Sequence, residues 1–227
     1  MLREWDRLPQ SMRTEEVRPY YEKLEHKKIS LFLKRVFDIV MSALMLIILS
    51  PMMIVVSTAI VLDSKGGVFF RQERVTQYGR KFKIFKFRTM VLNAEQLGTQ
   101  VTVKNDMRVT KVGAVLRKFR IDEFPQLINI LLNDMSFVGT RPEVTRYVKR
   151  YTPEMMATLL LPAGITSEAS IRYKDEDKLL EVAADVEDTY VNKVLPEKMK
   201  YNLKSIKEFS FIREIGTMLH TVVAVIK

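Results

Sequence analysis

The run Ile39–Leu62 constrains the fold of this chain more than any other feature. It holds 24 residues without an acid or a base, bounded by Asp38 and Asp63. As a straight helix it would reach ~36 Å, enough to cross a hydrocarbon core of about 30 Å. A cleavable signal peptide does not fit, because the run is long, starts late and follows a segment of mixed charge. Crossing is the ordinary reading of such a run, but two features oppose it. Pro51 lies at its centre, lacks an N–H and crowds the preceding turn, and Ser50 beside it can bond the carbonyl that is freed. Both flanks are basic, with Lys27, Lys28, Lys34 and Arg35 before the run and Lys65, Arg71 and Arg74 after it. The positive-inside tendency would keep both flanks on the cytoplasmic side. A helix-break-helix that turns at Ser50 and Pro51, entering and leaving one leaflet, satisfies both facts. Spanning and re-entrant topologies are the alternatives the residues leave.

The charge of the chain is unevenly placed. The formal net charge is +10, and residues 64–120 carry 14 basic and 3 acidic side chains. The segments on either side are close to balanced, so the excess lies just after the apolar run. A concentrated basic block repels itself unless an anionic partner answers it. No helix-turn-helix, zinc finger or single-strand platform is visible, so no nucleic acid is expected. Beside a membrane segment, anionic membrane lipids and phosphorylated substrates lead, with a solvated face as the plain alternative. The absence of cysteine excludes disulfides and thiolate metal sites. Neither His26 nor His220 sits in a context that suggests a ligand or a base.

The segment Arg117–Pro142, RKFRIDEFPQLINILLNDMSFVGTRP, carries the chemistry. An adjacent pair, Asp122 and Glu123, follows Lys111, Arg117, Lys118 and Arg120. Nearby positive charge lowers a carboxyl pKa, so both carboxylates are expected to stay ionised. Such a site suits a divalent metal, a polyphosphate or both. The plainer reading makes Asp122 a helix N-cap, with Pro125 in the first turn.

Other segments stand around this one in a fixed order. Lys34-Arg35-Val36-Phe37-Asp38 leads into the apolar run. Val68-Phe69-Phe70-Arg71-Gln72-Glu73-Arg74, Phe85-Lys86-Phe87-Arg88-Thr89-Met90 and Met135-Ser136-Phe137-Val138-Gly139-Thr140-Arg141-Pro142 follow. On these motifs the chain resembles the bacterial sugar transferases, monotopic polyprenyl-phosphate phosphoglycosyl transferases that start cell-surface glycans. The likeness extends over roughly residues 30 to 226. It implies transfer of a sugar-1-phosphate from a UDP-sugar to polyprenyl (undecaprenyl) phosphate, with release of UMP, at the cytoplasmic face of the bacterial inner membrane. It implies Asp122 as nucleophile through a covalent aspartyl-phosphosugar, Glu123 as a residue that binds or orients Mg2+ with Asp122 beside it as a second metal ligand, and Arg117 and Arg141 on phosphate. Arg suits bidentate phosphate contact. Lys86 and Arg88 are further phosphate candidates, or anchors of their strand at the membrane face. Two departures from the family pattern stand out. Thr140 replaces a proline, and Ala163-Gly164-Ile165-Thr166-Ser167-Glu168-Ala169-Ser170 departs from a Pro-Gly-Ile-Thr-Gly-Trp-Gln pattern. The second bears on the donor sugar rather than on the reaction. A reading of another class is a non-catalytic, basic, membrane-anchored adaptor that binds anionic lipid.

The expected architecture is α+β and mostly helical. It comprises a polar, weakly interfacial N-terminal segment (1–30), a re-entrant membrane helix (31–64) and a catalytic domain (65–227), with a homo-oligomer left open. Val68–Arg74 and Lys81–Arg88 read as strands around Tyr78-Gly79-Arg80. Residues 91–111 read as a helix start and a loop, and Val112–Arg120 and Ile121–Leu132 as helices. Pro153–Leu161 suits the core or the interface, and the acidic stretch 175–188 reads as helical. The last element is one long amphipathic helix, apolar at Leu203, Ile206, Phe209, Ile212, Ile215, Met218, Leu219, Val222, Val223 and Ile226. Its basic residues fall in its first half, which suits an anionic surface or packing on the domain.

Overall fold

The computed structural model describes residues 2–94, 106–173, 176 and 185–226. The expected loop after residue 94 and most of the acidic helix at 175–188 lie outside them. Of the described residues 61 % are helical, and among them are two small sheets and one long apolar helix.

That helix, α2 (Lys28–Asp63), runs through Pro51 as a single element. The expected break is therefore not an interruption of the helix. Pro51 has no N–H to offer the Ile47 carbonyl, one turn back, and Ser50 Oγ donates to that oxygen at 2.8 Å instead. The most apolar 18-residue window of α2 is only 6 % buried. Its exposed side includes Val40, Leu44, Ile47, Ile48, Ile54, Val55 and Leu62. The opposite side packs on the domain along its length, through Met45, Leu46 and Leu49 and then Met53, Val56 and Ile60.

Strands β1 (Phe69–Val75) and β2 (Lys81–Phe87) form the expected antiparallel hairpin, with Phe70 opposite Lys86 and Arg74 opposite Phe82. Helix α3 (Lys111–Lys118) starts at Thr110, whose hydroxyl accepts from the Gly113 N–H. Beyond it the expected helix Ile121–Leu132 divides. Arg120 adopts a left-handed conformation (φ 56°), a 3-10 turn covers Ile121–Glu123, and α4 covers Gln126–Leu131. Strand β3 (Met135–Val138) pairs in parallel with β4 (Ala163–Thr166).

The N-terminal segment, expected as weakly interfacial, is built into the core. Leu8, Met12, Val17 and, on α1 (Arg18–Glu25), Tyr20, Tyr21 and Leu24 pack with Leu159, Leu160 and Leu161. The 3-10 segment Glu154–Leu160 is thus core in its second half. The expected long C-terminal helix is two helices. One, Leu195–Lys207, buries Leu203 and Ile206, and the other, Phe211–Ile226, leaves Ile212, Leu219, Val222 and Val223 exposed. Phe209 is buried at the junction, and Ser210 Oγ accepts from the Arg213 N–H at 3.3 Å, capping the second helix. Core packing and an exposed apolar face therefore both occur, in different halves.

Candidate active site

The 3-10 turn places two carboxylates in different surroundings. Glu123 Oε1 accepts from Lys86 Nζ at 2.7 Å and from Arg141 Nη2 at 2.9 Å. The exposed fractions of the three side chains are 11 % for Glu123, 20 % for Lys86 and 36 % for Arg141. Asp122, also buried, caps neither the turn nor α4, and no hydrogen bond from a described residue reaches its carboxylate. The N-cap reading of Asp122 therefore falls.

These surroundings separate the two acids. Burial is the largest influence on Glu123 and raises its pKa, but Arg141 and Lys86 together outweigh burial and hold it below the ordinary carboxylate range. Burial is also the largest influence on Asp122, and there it wins. Lys86, Arg117 and Arg120 pull the pKa down, Glu123 pushes it up, and the net shift is upward. The expectation that neighbouring cations would lower both pKa values holds for Glu123 and is corrected for Asp122. Lys86 is lowered, by burial first and by the Arg141 charge, against the pull of Glu123. Arg141 is raised, chiefly by Glu123.

Three elements converge to make this arrangement. Lys86 comes from β2, where buried Asn129 of α4 accepts from the Phe85 N–H at 2.8 Å and donates to the Lys83 carbonyl at 3.1 Å. Arg141 follows β3, where two glycine backbones touch. A Cβ on Gly164 would lie 2.1 Å from the Gly139 nitrogen, so only glycine fits there. Thr140 fits its turn with its carbonyl accepting from the Gly164 N–H at 2.9 Å. Arg117 lies within electrostatic reach of Asp122.

Arg88 lies elsewhere. Its guanidinium is buried at the C-terminal end of α2, donating to the Gly67 carbonyl at 2.6 Å, Ser64 Oγ at 2.6 Å, the Ser64 carbonyl at 2.8 Å and the Ile60 carbonyl at 3.4 Å. Arg88 thus ties the end of β2 to the end of the helix rather than to Glu123, and its anchoring at a membrane face is not what these bonds describe. At the other end of α2, Lys34 Nζ donates to the Val138 carbonyl at 2.7 Å and pairs with Glu214 at 2.5 Å. Asp38 accepts from the Phe137 N–H at 3.2 Å. The Lys34–Asp38 motif thus docks α2 onto the strand that leads to Arg141. Its partners lie 99 to 180 residues away in sequence, so the motif shows the contact only as an unexplained pattern.

Among the described residues no cluster of three or more potential metal ligands occurs. The donor set still suits Mg2+, which takes one or two carboxylates and completes its shell with water and substrate phosphates. Among the described residues none donates a hydrogen bond to Asp122, and both bonds to Glu123 fall on one of its oxygens.

The chain belongs to the bacterial sugar transferase family, whose pattern matches residues 29–227. It is 37 % identical over 194 residues to a UDP-N-acetylgalactosamine-undecaprenyl-phosphate N-acetylgalactosaminephosphotransferase of Aeromonas hydrophila, covering 84 % of this chain and 43 % of that protein. It is 34 % identical over 198 residues to a UDP-glucose:undecaprenyl-phosphate glucose-1-phosphate transferase of Klebsiella pneumoniae, covering 86 % and 40 %. A putative undecaprenyl-phosphate N-acetylgalactosaminyl 1-phosphate transferase of Bacillus subtilis is 41 % identical over 149 residues, covering 65 % and 82 %. The chain therefore spans about two fifths of the first two relatives and most of the third.

Proposed function

We propose that this chain transfers a sugar-1-phosphate from a UDP-sugar to undecaprenyl phosphate at the cytoplasmic face of a bacterial inner membrane. The observation that carries the reading is the division of labour between the carboxylates. Glu123 is held by two cations, while Asp122 is buried beside them and accepts no hydrogen bond from the described residues. A carboxylate that the described residues leave free of hydrogen bonds is the better nucleophile of the two.

In the first step Asp122 Oδ attacks the β-phosphorus of the donor. The bond between that phosphorus and the bridging oxygen breaks, and UMP leaves with the oxygen and its electrons. In the second step a phosphate oxygen of the acceptor attacks the aspartyl-bound phosphorus, which returns the Asp122 carboxylate and yields a lipid diphosphosugar. Arg141, fixed through Glu123, and Arg117 meet phosphate oxygens, and Lys86 neutralises charge beside Asp122. Mg2+, when bound by Glu123 with Asp122 nearby, would supply further positive charge to the crowded phosphates. The sugars named for the relatives differ, so the shared chemistry is the phosphoryl transfer, and initiation of a surface polysaccharide or glycoconjugate is its setting.

A re-entrant α2 supports this arrangement. Both ends of the helix bond one domain, Lys34 and Asp38 at one end and Asp63 and Ser64 at the other, while its free side is apolar. A lipid phosphate at head-group depth then lies beside a site open to a soluble donor.

The test is UMP release from a panel of UDP-sugars in the presence of undecaprenyl phosphate. Asp122→Asn should abolish release, and labelled donor without acceptor should leave label on Asp122. Release by the Asn variant near the wild-type rate, or label on another residue, sinks the assignment. The acid limb of the rate should lie above the ordinary Asp range, because the nucleophile acts ionised and its pKa is raised. Lys86→Gln should move the limb of its residual activity to higher pH.

A further inference from the structure

The loop that carries Arg141 is held from two sides, and only one belongs to the strand pair. On that side Gly139 N–H donates to the Thr166 carbonyl at 3.0 Å and Gly164 N–H to the Thr140 carbonyl at 2.9 Å. On the other side Val75 N–H donates to the Glu143 carbonyl at 2.9 Å, and Arg74 Nη1 to the Pro142 carbonyl at 3.1 Å. The Glu143 side chain turns into the protein, 7 % exposed, and accepts from the Tyr190 hydroxyl at 2.5 Å. Tyr190 is itself fixed. It is buried among Tyr147, Val194, Leu195 and Met199, with its ring centroid 4.7 Å from that of Tyr147. It also opens a π-helical turn, Tyr190–Val194, a wide turn that recurs at functional sites.

We propose that the Tyr190–Glu143 pair is a positioning device for Arg141, setting its guanidinium from the buried side of the loop. Arg141 has the most exposed side chain of the three that meet at Glu123 Oε1, so packing around its tip fixes it least. Its place depends on where the backbone at Arg141, Pro142 and Glu143 lies. A buried carboxylate at 143 needs a donor, and Tyr190 supplies it from a rigid aromatic cluster. Without the hydroxyl, Glu143 must seek another partner, and Pro142 and Arg141 move with it. Arg74 lies within electrostatic range of both Glu143 and Arg141, and its buried Nε has no hydrogen-bond partner among the described residues. It offers Glu143 a competing cation to turn toward.

The inference rests on the phosphate role given to Arg141 above, so its test needs a readout independent of turnover. In the full chain in detergent, the side-chain 15N–1H signal of Arg141, assigned by its loss in Arg141→Lys, should shift in Tyr190→Phe. Glu143→Ala should reproduce that shift. Glu143→Gln, which keeps an acceptor oxygen for the tyrosine, should largely spare it. An unmoved signal in both Tyr190→Phe and Glu143→Ala overturns the proposal, whether or not the wild type releases UMP. Where it does, Tyr190→Phe should lower kcat roughly tenfold with donor KM within about twofold. In the Arg141→Lys background the same change should cost less than about threefold, because residues that act through one another are not additive. Equal losses in both backgrounds would mark Tyr190 as structural only. Should Tyr190→Phe fail to fold, the contrast between Glu143→Ala and Glu143→Gln decides the same question.

Discussion

The two halves of α2 are fastened to the same domain by opposite means. Before Pro51 the helix sends its own charges outward. Lys34 reaches the Val138 carbonyl and Glu214, Arg35 Nη1 reaches the Ile130 carbonyl at 2.8 Å, and Asp38 takes the Phe137 N–H. After Pro51 the domain does most of the reaching. Arg88 takes carbonyls from the helix end, and Val112 donates its N–H to Asp63 at 2.9 Å. The first half offers side chains at fixed helical spacing, so it sets where β3, and then Arg141, lies along the helix. The second half is held at its end, where Arg88 reaches the Ile60 and Ser64 carbonyls and Ser64 Oγ and where Asp63 takes the Val112 N–H, and by the packing of Met53, Val56 and Ile60. One helix can thus carry positional information in one half and be simply held in the other.

Removing Lys34 is the largest perturbation of this contrast. Lys34→Met leaves Glu214 buried without its cation, and breaking a buried pair from one side destabilises by ~3–5 kcal/mol. Unfolding of the purified protein in detergent should show it, with partial recovery on adding Glu214→Gln. A stability loss that Glu214→Gln does not relieve would mean that the Val138 contact, not the pair, holds this half.

Arg88→Lys comes next. One ammonium cannot serve the three carbonyls and the hydroxyl that the guanidinium reaches, and hydrogen bonds to a charged group contribute ~1.5–3 kcal/mol each. A net loss of about 2 kcal/mol is expected, with UMP release falling in proportion to folded protein. A fall in release with unchanged stability would instead return Arg88 to the substrate.

How much of this was legible depended on whether the cause was local. The hairpin was legible because Val, Ile and Phe alternate with charge around Tyr78-Gly79-Arg80. The exchange of Pro51's missing donor for the Ser50 hydroxyl was legible because both residues lie within one turn. Asp122, Glu123, Lys86 and Arg141 were legible as a motif set, and the structure brings Lys86 and Arg141 onto Glu123. The upward shift of the Asp122 pKa was not, because counting nearby cations ignores burial, which only the fold decides. The turn at 121–123 was hidden by Arg120, an ordinary residue in a left-handed conformation. The β3–β4 pair was hidden because four-residue strands give no usable alternation. The break before Phe211 was masked by an apolar spacing that continues through it, although Ser210 carried the capping signal.

The smallest change in stability, and the most direct test of what the two halves have in common, is Pro51→Ala. Alanine restores the N–H that can bond the Ile47 carbonyl and releases Ser50 from that duty, so the folded domain should lose no stability. Topology should respond more than stability. A helix of 24 uncharged residues without a proline is long enough to span, and the basic flanks and the docking of both ends to one domain would then be all that opposes spanning. Single cysteines at Lys28 and Lys65, in a chain that otherwise has none, can be probed in sealed vesicles with an impermeant thiol reagent. In the parent both sites should react from the cytoplasmic face only. In Pro51→Ala a fraction of molecules should label at one site from the opposite face, and UMP release should fall by that fraction. Labelling of the parent from opposite faces would show a spanning helix and end the re-entrant reading. Unchanged labelling in Pro51→Ala would show that the docking of the two halves, rather than the proline, holds the helix on one side.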